Sequence, residues 1–397
     1  MKDNNTQYRY LWYAFFLCGF LTNYPATNNI VNLLIVVLFL VGILHRRGWK
    51  PSFTTYFIIL MTAVSFFNNY VIDLNAVKGI EQDPNALPVL VIIVLASEWL
   101  YIPGILYKCL SYNCLPLAVL FLLGGVHSNE FGRIDTPYIS ANFNNVLYLM
   151  GFGATSYLLV HKGINKCFGI VTLISTMVMI SFSGSRKDFV FVVCAAIFLY
   201  PMLKEYFVKF NKIKRFYIGI LVTVVGSVMV YQILQAQLQR FSRMGGLAEI
   251  AASTDVEPSA LERTDYIKTG FKVAESYPLG VGEDNIVGAI RIYGYEFCKL
   301  TKNVHSLLAQ VLFAGGYLGL IMLTLLTLRL VKLSFRDIRR FYFIPLYFIM
   351  MIFADGMFLT KVLWPVLIFF EKEASSLPSR RILLGKKKSF HTLGTTN

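Results

Sequence analysis

One of the five histidines, His305, stands where a polar segment meets an apolar one, in the stretch NVHSLLAQVLFAGGYLGL. An imidazole with an ordinary pKa near ~6.5 can take a proton from a hydroxyl group at neutral pH. A lone histidine at the start of a helix can equally be a structural residue or an interfacial anchor. His305 is therefore a candidate catalytic base, with the structural role as the alternative.

Arginines are the second group of candidates, because a guanidinium binds phosphate oxygens through two parallel hydrogen bonds. Arg186 lies in SGSRKD between two apolar runs. A charge in that position costs free energy unless it reaches the interface, pairs or binds a ligand. Arg263 lies in ERTDYIKTG, where an ion pair with Glu262 or Asp265 on the helix surface is the alternative.

Arg133, in the polar stretch FGRIDTPYISANFNN, is the third arginine, with an ordinary solvated loop charge as its alternative role. Several guanidiniums around one cavity would suit a phosphate or pyrophosphate group. No DxD-like pair stands out in an outer connection, and no Cys–His cluster has zinc spacing, so we predict a site without metal or cofactor. Glu98 lies inside an apolar run and is left out of the site, since protonation or a tyrosine hydroxyl can satisfy it.

The composition is that of a polytopic membrane protein. Of 397 residues, 56% are hydrophobic and 15% are charged, whereas soluble domains carry about 25% charged residues. The net charge of +15 resides in short clusters between apolar runs. These clusters lack the aromatic–basic pattern of a nucleic-acid platform, so we expect contact with membrane lipids and no nucleic-acid partner.

The apolar runs predict an all-α bundle of ten to twelve transmembrane helices. An alternation from a cytoplasmic N-terminus places the basic clusters and the C-terminus in the cytoplasm, as the positive-inside rule requires. We divide the chain into an N-terminal bundle (1–233), a large outer loop (234–304), C-terminal transmembrane helices (305–370) and a basic cytoplasmic tail (371–397). The candidate spans are Tyr10–Leu21, Ile30–Leu44, Phe53–Phe67, Leu87–Leu106, Leu115–Val126, Asn145–Val160, Cys167–Phe182, Asp188–Leu203, Phe216–Ile233, Ser306–Leu330, Phe341–Phe353 and Phe358–Phe370.

The large loop is predicted to be helical at its start, QILQAQLQRFSRMGGL, and again from Pro258 through Ser276, before turns in YPLGVGEDN. In the span that follows, the glycines of FAGGYLGL allow a neighbouring helix to approach closely. The stripe that we expect to face protein rather than lipid comprises His305, Ala309, Leu312 and Gly316.

Four patches between Gly132 and Leu320 resemble, in matching order, the O-antigen polymerase and ligase superfamily. ERTDYIKTGFKVAESYPLGVGEDN carries its arginine and P-x-G-x-G, and NVHSLLAQVLFAGGYLGL its H-S/N-x-x-L and following glycines. The other two patches are SFSGSRKDFVF and FGRIDTPYISANFNNVLYL. The chain departs from the pattern at Ser306, where asparagine is common, and at Lys187, where glycine is usual.

The resemblance implies a glycosyltransferase C-like membrane enzyme that uses sugars carried on undecaprenyl pyrophosphate. A hydroxyl of the acceptor glycan attacks the anomeric carbon of the donor, and undecaprenyl pyrophosphate leaves. Because this leaving group is already activated, no nucleotide sugar or metal is required. The implied location is the outer face of a bacterial cytoplasmic (inner) membrane. A chain-length regulator and a flippase are further implied partners.

The same resemblance implies roles for individual residues. Arg186 and Arg263 hold the pyrophosphate, and His305 orients or deprotonates the acceptor hydroxyl; these three are the predicted catalytic residues. Arg133 helps to place the donor. The other predicted substrate-binding residues are Asn145, Lys187, Gly280 and Gly282.

Three functions stay open at this point. The first is a polymerase of oligosaccharide repeat units that builds O-antigen or capsule. The second is an O-antigen ligase, which transfers the same donor to lipid A–core. The third is a flippase or other transporter without chemistry. Transporters tend to show internal repeats and no dominant outer loop, whereas this chain has the loop and no visible repeat, so we favour the polymerase and place transport last.

Overall fold

The computed structural model describes residues 4–20, 25–45, 50–72, 74, 86–123, 127–128, 134–135, 141–183, 258–301, 304, 306–354 and 361–377. The first group of helices is α1 (Asn4–Phe20), α2 (Pro25–His45), α3 (Phe53–Val71), α4 (Ala86–Trp99), α5 (Ile105–Leu123), α6 (Ala141–Val160) and α7 (Lys166–Ser183). The second group is α8 (Pro258–Ser276), α9 (Ile286–Tyr293), α10 (Leu307–Ser334), α11 (Ile338–Phe341), α12 (Phe343–Ala354) and α13 (Leu363–Ser376). The strands β1 (His127–Ser128) and β2 (Ile134–Asp135) form one short antiparallel pair. The described residues are therefore helical almost throughout, as predicted.

One predicted span, Leu87–Leu106, is wrong at its C-terminal end. Helix α4 ends at Trp99, and α5 begins at Ile105 after a turn in which Gly104 has φ 73°. Proline and a glycine of positive φ interrupt a helix even where hydrophobicity continues, and Pro103 stands beside this glycine. The predicted spans Asp188–Leu203 and Phe216–Ile233 lie outside the described residues.

Helix α10 has 28 residues and a mean hydropathy of 2.1 over its most apolar window, which suits a membrane crossing. It is the one helix in the described part of the chain that meets this criterion, and shorter apolar helices of 10–17 residues accompany it. Exposed apolar side chains form stripes along two helices: Leu33, Val36, Leu40 and Leu44 on α2, and Ile321, Leu325 and Leu328 on α10. Such stripes require an apolar environment or a partner surface.

Two carboxylates hold the N-terminus of α3, at the end of this helix that is remote from the large loop. Glu98 accepts hydrogen bonds from the backbone N (2.8 Å) and Oγ (2.6 Å) of Ser52, and it pairs with Lys372 Nζ at 2.6 Å. Glu371 accepts from the next backbone N–H groups and pairs with Arg329. Carboxylates at a helix N-terminus stabilise its unsatisfied N–H groups and its dipole. Oε1 of Glu98 therefore accepts the capping hydrogen bonds and Oε2 faces the Lys372 ammonium, so the described partners of Glu98 do not include a tyrosine hydroxyl.

Candidate functional site

The predicted site residues fall into three groups in the structure. Arg263, Gly280 and Gly282 are fully described. Asn145 lies within α6, of which the backbone is described at this position. The remaining predictions lie outside the described residues: Arg133, Arg186, Lys187 and His305.

Buried contacts fix the chain on both sides of the position of His305. Val304 is fully buried in a small apolar cluster formed by residues of α8, α9 and the N-terminal half of α10. Ser306, also fully buried, caps α10 by accepting from the backbone N of Ala309 (3.3 Å), and its Oγ donates to the carbonyl of Ile352 in α12 (3.0 Å). Serine and asparagine are both good N-caps, so serine at this position keeps the capping that asparagine would supply.

Arg263 lies in the second turn of α8. The two carboxylates that could pair with it, Glu262 and Asp265, form ion pairs with lysines instead. Lys299 Nζ lies 3.0 Å from Glu262 Oε2, and Lys268 Nζ lies 3.3 Å from Asp265 Oδ1. Within the described residues Arg263 forms no ion pair, and its Nε is buried without a hydrogen-bond partner. A buried unsatisfied donor is costly unless a ligand completes it. The Nε of Arg263 is therefore left without a partner among the described residues, and its role toward the substrate stays a prediction.

Hydrogen bonds of Tyr266 connect α8 to the backbone of Lys299, near the C-terminal end of the loop. The hydroxyl of Tyr266 donates to the carbonyl of Lys299 and accepts from its backbone N, both at 3.0 Å. Burial, reinforced by the nearby Glu262 carboxylate, raises the pKa of the Tyr266 phenol, so it stays protonated and can donate. Helix α8 also packs against α10. Ala309 and Leu312 are fully buried, which confirms for these two residues that the stripe faces protein.

Helix α10 is broken at Gly316, and the turn that follows α8 fits into the break. Gly316 has φ 56° and ψ −142°, far from helical values. The backbone N of Tyr317 donates to the carbonyl of Pro278 (2.9 Å), and that of Val281 donates to the carbonyl of Phe313 (2.7 Å). The P-x-G-x-G segment thus satisfies backbone groups that the break leaves without helical partners.

Direct contact between backbones explains the glycines at this junction. Gly280 has φ 79°, and a Cβ there would lie 2.6 Å from the backbone N atoms of Gly315 and Gly316. Gly282 has φ 84°, and a Cβ there would lie 2.7 Å from the carbonyl oxygen of Ser65 in α3. The element that approaches Gly316 is therefore this turn, whereas Gly315 and Gly319 lie against Met61 of the neighbouring helix α3, as predicted for these two glycines. The substrate-binding role of Gly280 and Gly282 stays a prediction.

The first testable consequence concerns stability. We expect Gly280→Ala to lower the free energy of unfolding by about 2–4 kcal/mol, since the added Cβ overlaps backbone atoms and the φ is unfavourable. Gly104→Ala is the matched control, because Gly104 has a similar φ of 73° but nothing within 4 Å of an added Cβ. Thermal unfolding in detergent measures both variants. Equal losses of unfolding free energy in the two variants would show that the contact of Gly280 with α10 does not contribute to stability.

Two features of the site were not predicted from the sequence. Helix α9 is short, and its apolar stretch IVGAIRIY follows directly on turn residues. Polar residues at the end of α3, namely Ser65, Asn68 and Asn69, contact the turn of the P-x-G-x-G segment. Their spacing of three and four residues places them on one helix face, which is the signal that could have identified them.

Comparison with known families agrees with the motifs. A family model described as O-antigen ligase matches residues 170–324. The matched segment contains the loop helices α8 and α9 and the break in α10. A search of curated proteins found no match. This match is consistent with the O-antigen polymerase and ligase superfamily over residues 170–324, and the patch FGRIDTPYISANFNNVLYL lies outside it.

Proposed function

We propose that this protein is a glycosyltransferase that polymerises undecaprenyl-pyrophosphate-linked oligosaccharide repeat units into a surface polysaccharide, O-antigen or capsule. The superfamily match supports assembly of glycans from lipid-linked oligosaccharides. The observation that carries the proposal is Arg263, whose buried Nε lacks a partner within the described residues. It lies on α8, which packs against the helix that His305 precedes.

The proposed chemistry uses groups of the chain alone. The acceptor hydroxyl attacks the anomeric carbon of the donor, and His305 orients this hydroxyl or takes its proton. The bond between the anomeric carbon and the pyrophosphate oxygen breaks, and its electron pair stays on that oxygen. Arg263 and Arg186 neutralise the charge that develops on the leaving group. The residues proposed to place the donor are Arg133, Asn145, Lys187, Gly280 and Gly282.

We further propose that the fold is a polytopic bundle in a bacterial cytoplasmic membrane, with the large loop outside and both termini in the cytoplasm. The exposed apolar stripes of α2 and α10 support contact with lipid. Helix α3 fits this orientation, since its N-terminus carries the pairs with Lys372 and Arg329 and its C-terminus meets the loop. A flippase that delivers repeat units and a chain-length regulator are the proposed partners.

The test uses purified protein and undecaprenyl-pyrophosphate-linked repeat units from its own host. The products are separated on a gel with and without a lipid A–core acceptor. A ladder of polymer without lipid A–core is the expected result. Transfer only when lipid A–core is present would assign the ligase branch. The ligase is the second candidate because the matched family model is described as O-antigen ligase. Intact donor under both conditions would contradict the proposal.

A further inference from the structure

Polar side chains at the C-terminal end of α3 form hydrogen bonds with the turn between α8 and α9. Ser65 Oγ accepts from the backbone N of Glu283 at 2.8 Å, and Asn68 Nδ2 donates to the carbonyl of Leu279 at 2.6 Å. Ser65 is fully buried and Asn68 is 3% exposed. Buried polar groups of this kind are stabilising only when they are paired, and here the turn supplies the partners.

Asn69 forms a two-point contact with Asp284. Its Nδ2 donates to Oδ2 of Asp284 (2.8 Å), and its Oδ1 accepts from the backbone N of Asp284 (3.2 Å). Asn285 completes the contact from the turn, because its Nδ2 donates to the carbonyls of Ile72 (2.7 Å) and Val281 (2.9 Å). We call Ser65, Asn68 and Asn69 the α3 clamp.

The clamped turn is the one that fills the break in α10. One of its ends follows α8, which carries Arg263, and its middle is hydrogen-bonded to Phe313 and Tyr317 of α10. A shift of the turn would therefore move α8 relative to the N-terminal half of α10. Helix α3 lies outside the matched segment 170–324, so the clamp joins the first part of the chain to the family domain.

We propose that Asn68 and Asn69 are positioning residues for glycosyl transfer, which hold the turn in the break of α10 and so set the position of α8, with Arg263, relative to the N-terminal half of α10. This inference rests on the proposed function. Misplacement of a reacting group by about 1 Å can reduce a rate by about 100-fold. A clamp that only stabilises the fold would change the amount of folded protein and leave the rate of each folded molecule unchanged.

An exchange of the Asn69–Asp284 pair separates these roles. Asn69→Asp places a carboxylate against Asp284, whereas the double variant with Asp284→Asn restores an amide–carboxylate pair with reversed positions. We expect Asn69→Asp to lower kcat by at least about 10-fold with KM for the donor nearly unchanged, and the double variant to recover most of the rate. Amide hydrogen exchange of peptides spanning 277–285 is expected to rise in the single variant and to fall again in the double.

The controls keep the outcomes distinct. Tyr70→Phe changes an adjacent side chain that is 88% exposed, and it should match wild type. If Asn69→Asp does not fold, Asn69→Ala removes the same two contacts without the repulsion and should also lose rate. A wild-type kcat in a folded variant whose exchange has risen would overturn the inference. No transfer by wild type would instead contradict the proposed function, and hydrogen exchange would still report on the clamp.

Discussion

His305→Ala is expected to reduce glycan transfer by about 10²–10⁴-fold, the usual contribution of a positioned general base. The substitution removes the imidazole at the head of α10. The helix itself should persist, because its start is capped by Ser306 through the backbone N of Ala309 and anchored to Ile352. Transfer is measured with lipid-linked repeat units as formation of the polymer ladder, and thermal unfolding verifies the fold.

His127→Ala is the matched control, since His127 lies in β1 and has no proposed role in the reaction. It should retain the wild-type rate. Full transfer by a folded His305→Ala protein would remove this histidine from the mechanism and leave the structural role. The enzyme class would stand in that case, because it depends on the products and not on one residue.

Arg263→Gln is expected to lower kcat by about 10²–10³-fold, since it removes a donor that stabilises charge on the leaving pyrophosphate. Arg263→Lys should retain part of the rate, because lysine keeps the charge and loses the planar fork. Neither variant should lose more than about 0.5 kcal/mol of stability through broken ion pairs, as Glu262 and Asp265 pair with lysines instead.

Arg291→Gln is the control for this series, because Arg291 lies exposed in the last turn of α9 in the same loop. The measurement is steady-state transfer per folded molecule with the undecaprenyl-pyrophosphate donor. An Arg263→Gln protein that is less stable but transfers at the wild-type rate would show that the guanidinium supports the fold and does not act on the donor.

Residues at the ends of a helix were sufficient to predict its bounds where they favour helix initiation or termination on their own. Helix α8 has the predicted bounds, Pro258–Ser276, because a proline is favoured in the first turn and Pro278 follows its end. The division between α4 and α5 was missed because apolar residues continue on both sides of Gly104. A count of hydrophobic residues does not register a turn that lies within an apolar run.

The candidate site depends on contacts between segments that are distant in the sequence. The P-x-G-x-G motif indicates a turn, but the motif alone does not show that the turn fits the break at Gly316. Nor does it show that Asn68 and Asn69 hold that turn, since two asparagines at the end of an apolar run are also ordinary interfacial residues. Arg263 was identified from its residue type and motif, whereas the pairing of its neighbours with lysines required the structure.

The most direct test compares the release of undecaprenyl pyrophosphate with the formation of glycosidic bonds in liposomes that contain the purified protein. We predict that the two products appear in equal amounts, and that His305→Ala and Arg263→Gln reduce both together. Movement of intact lipid-linked units between the two leaflets, without release of undecaprenyl pyrophosphate, would contradict glycosyl transfer and would make the protein a transporter.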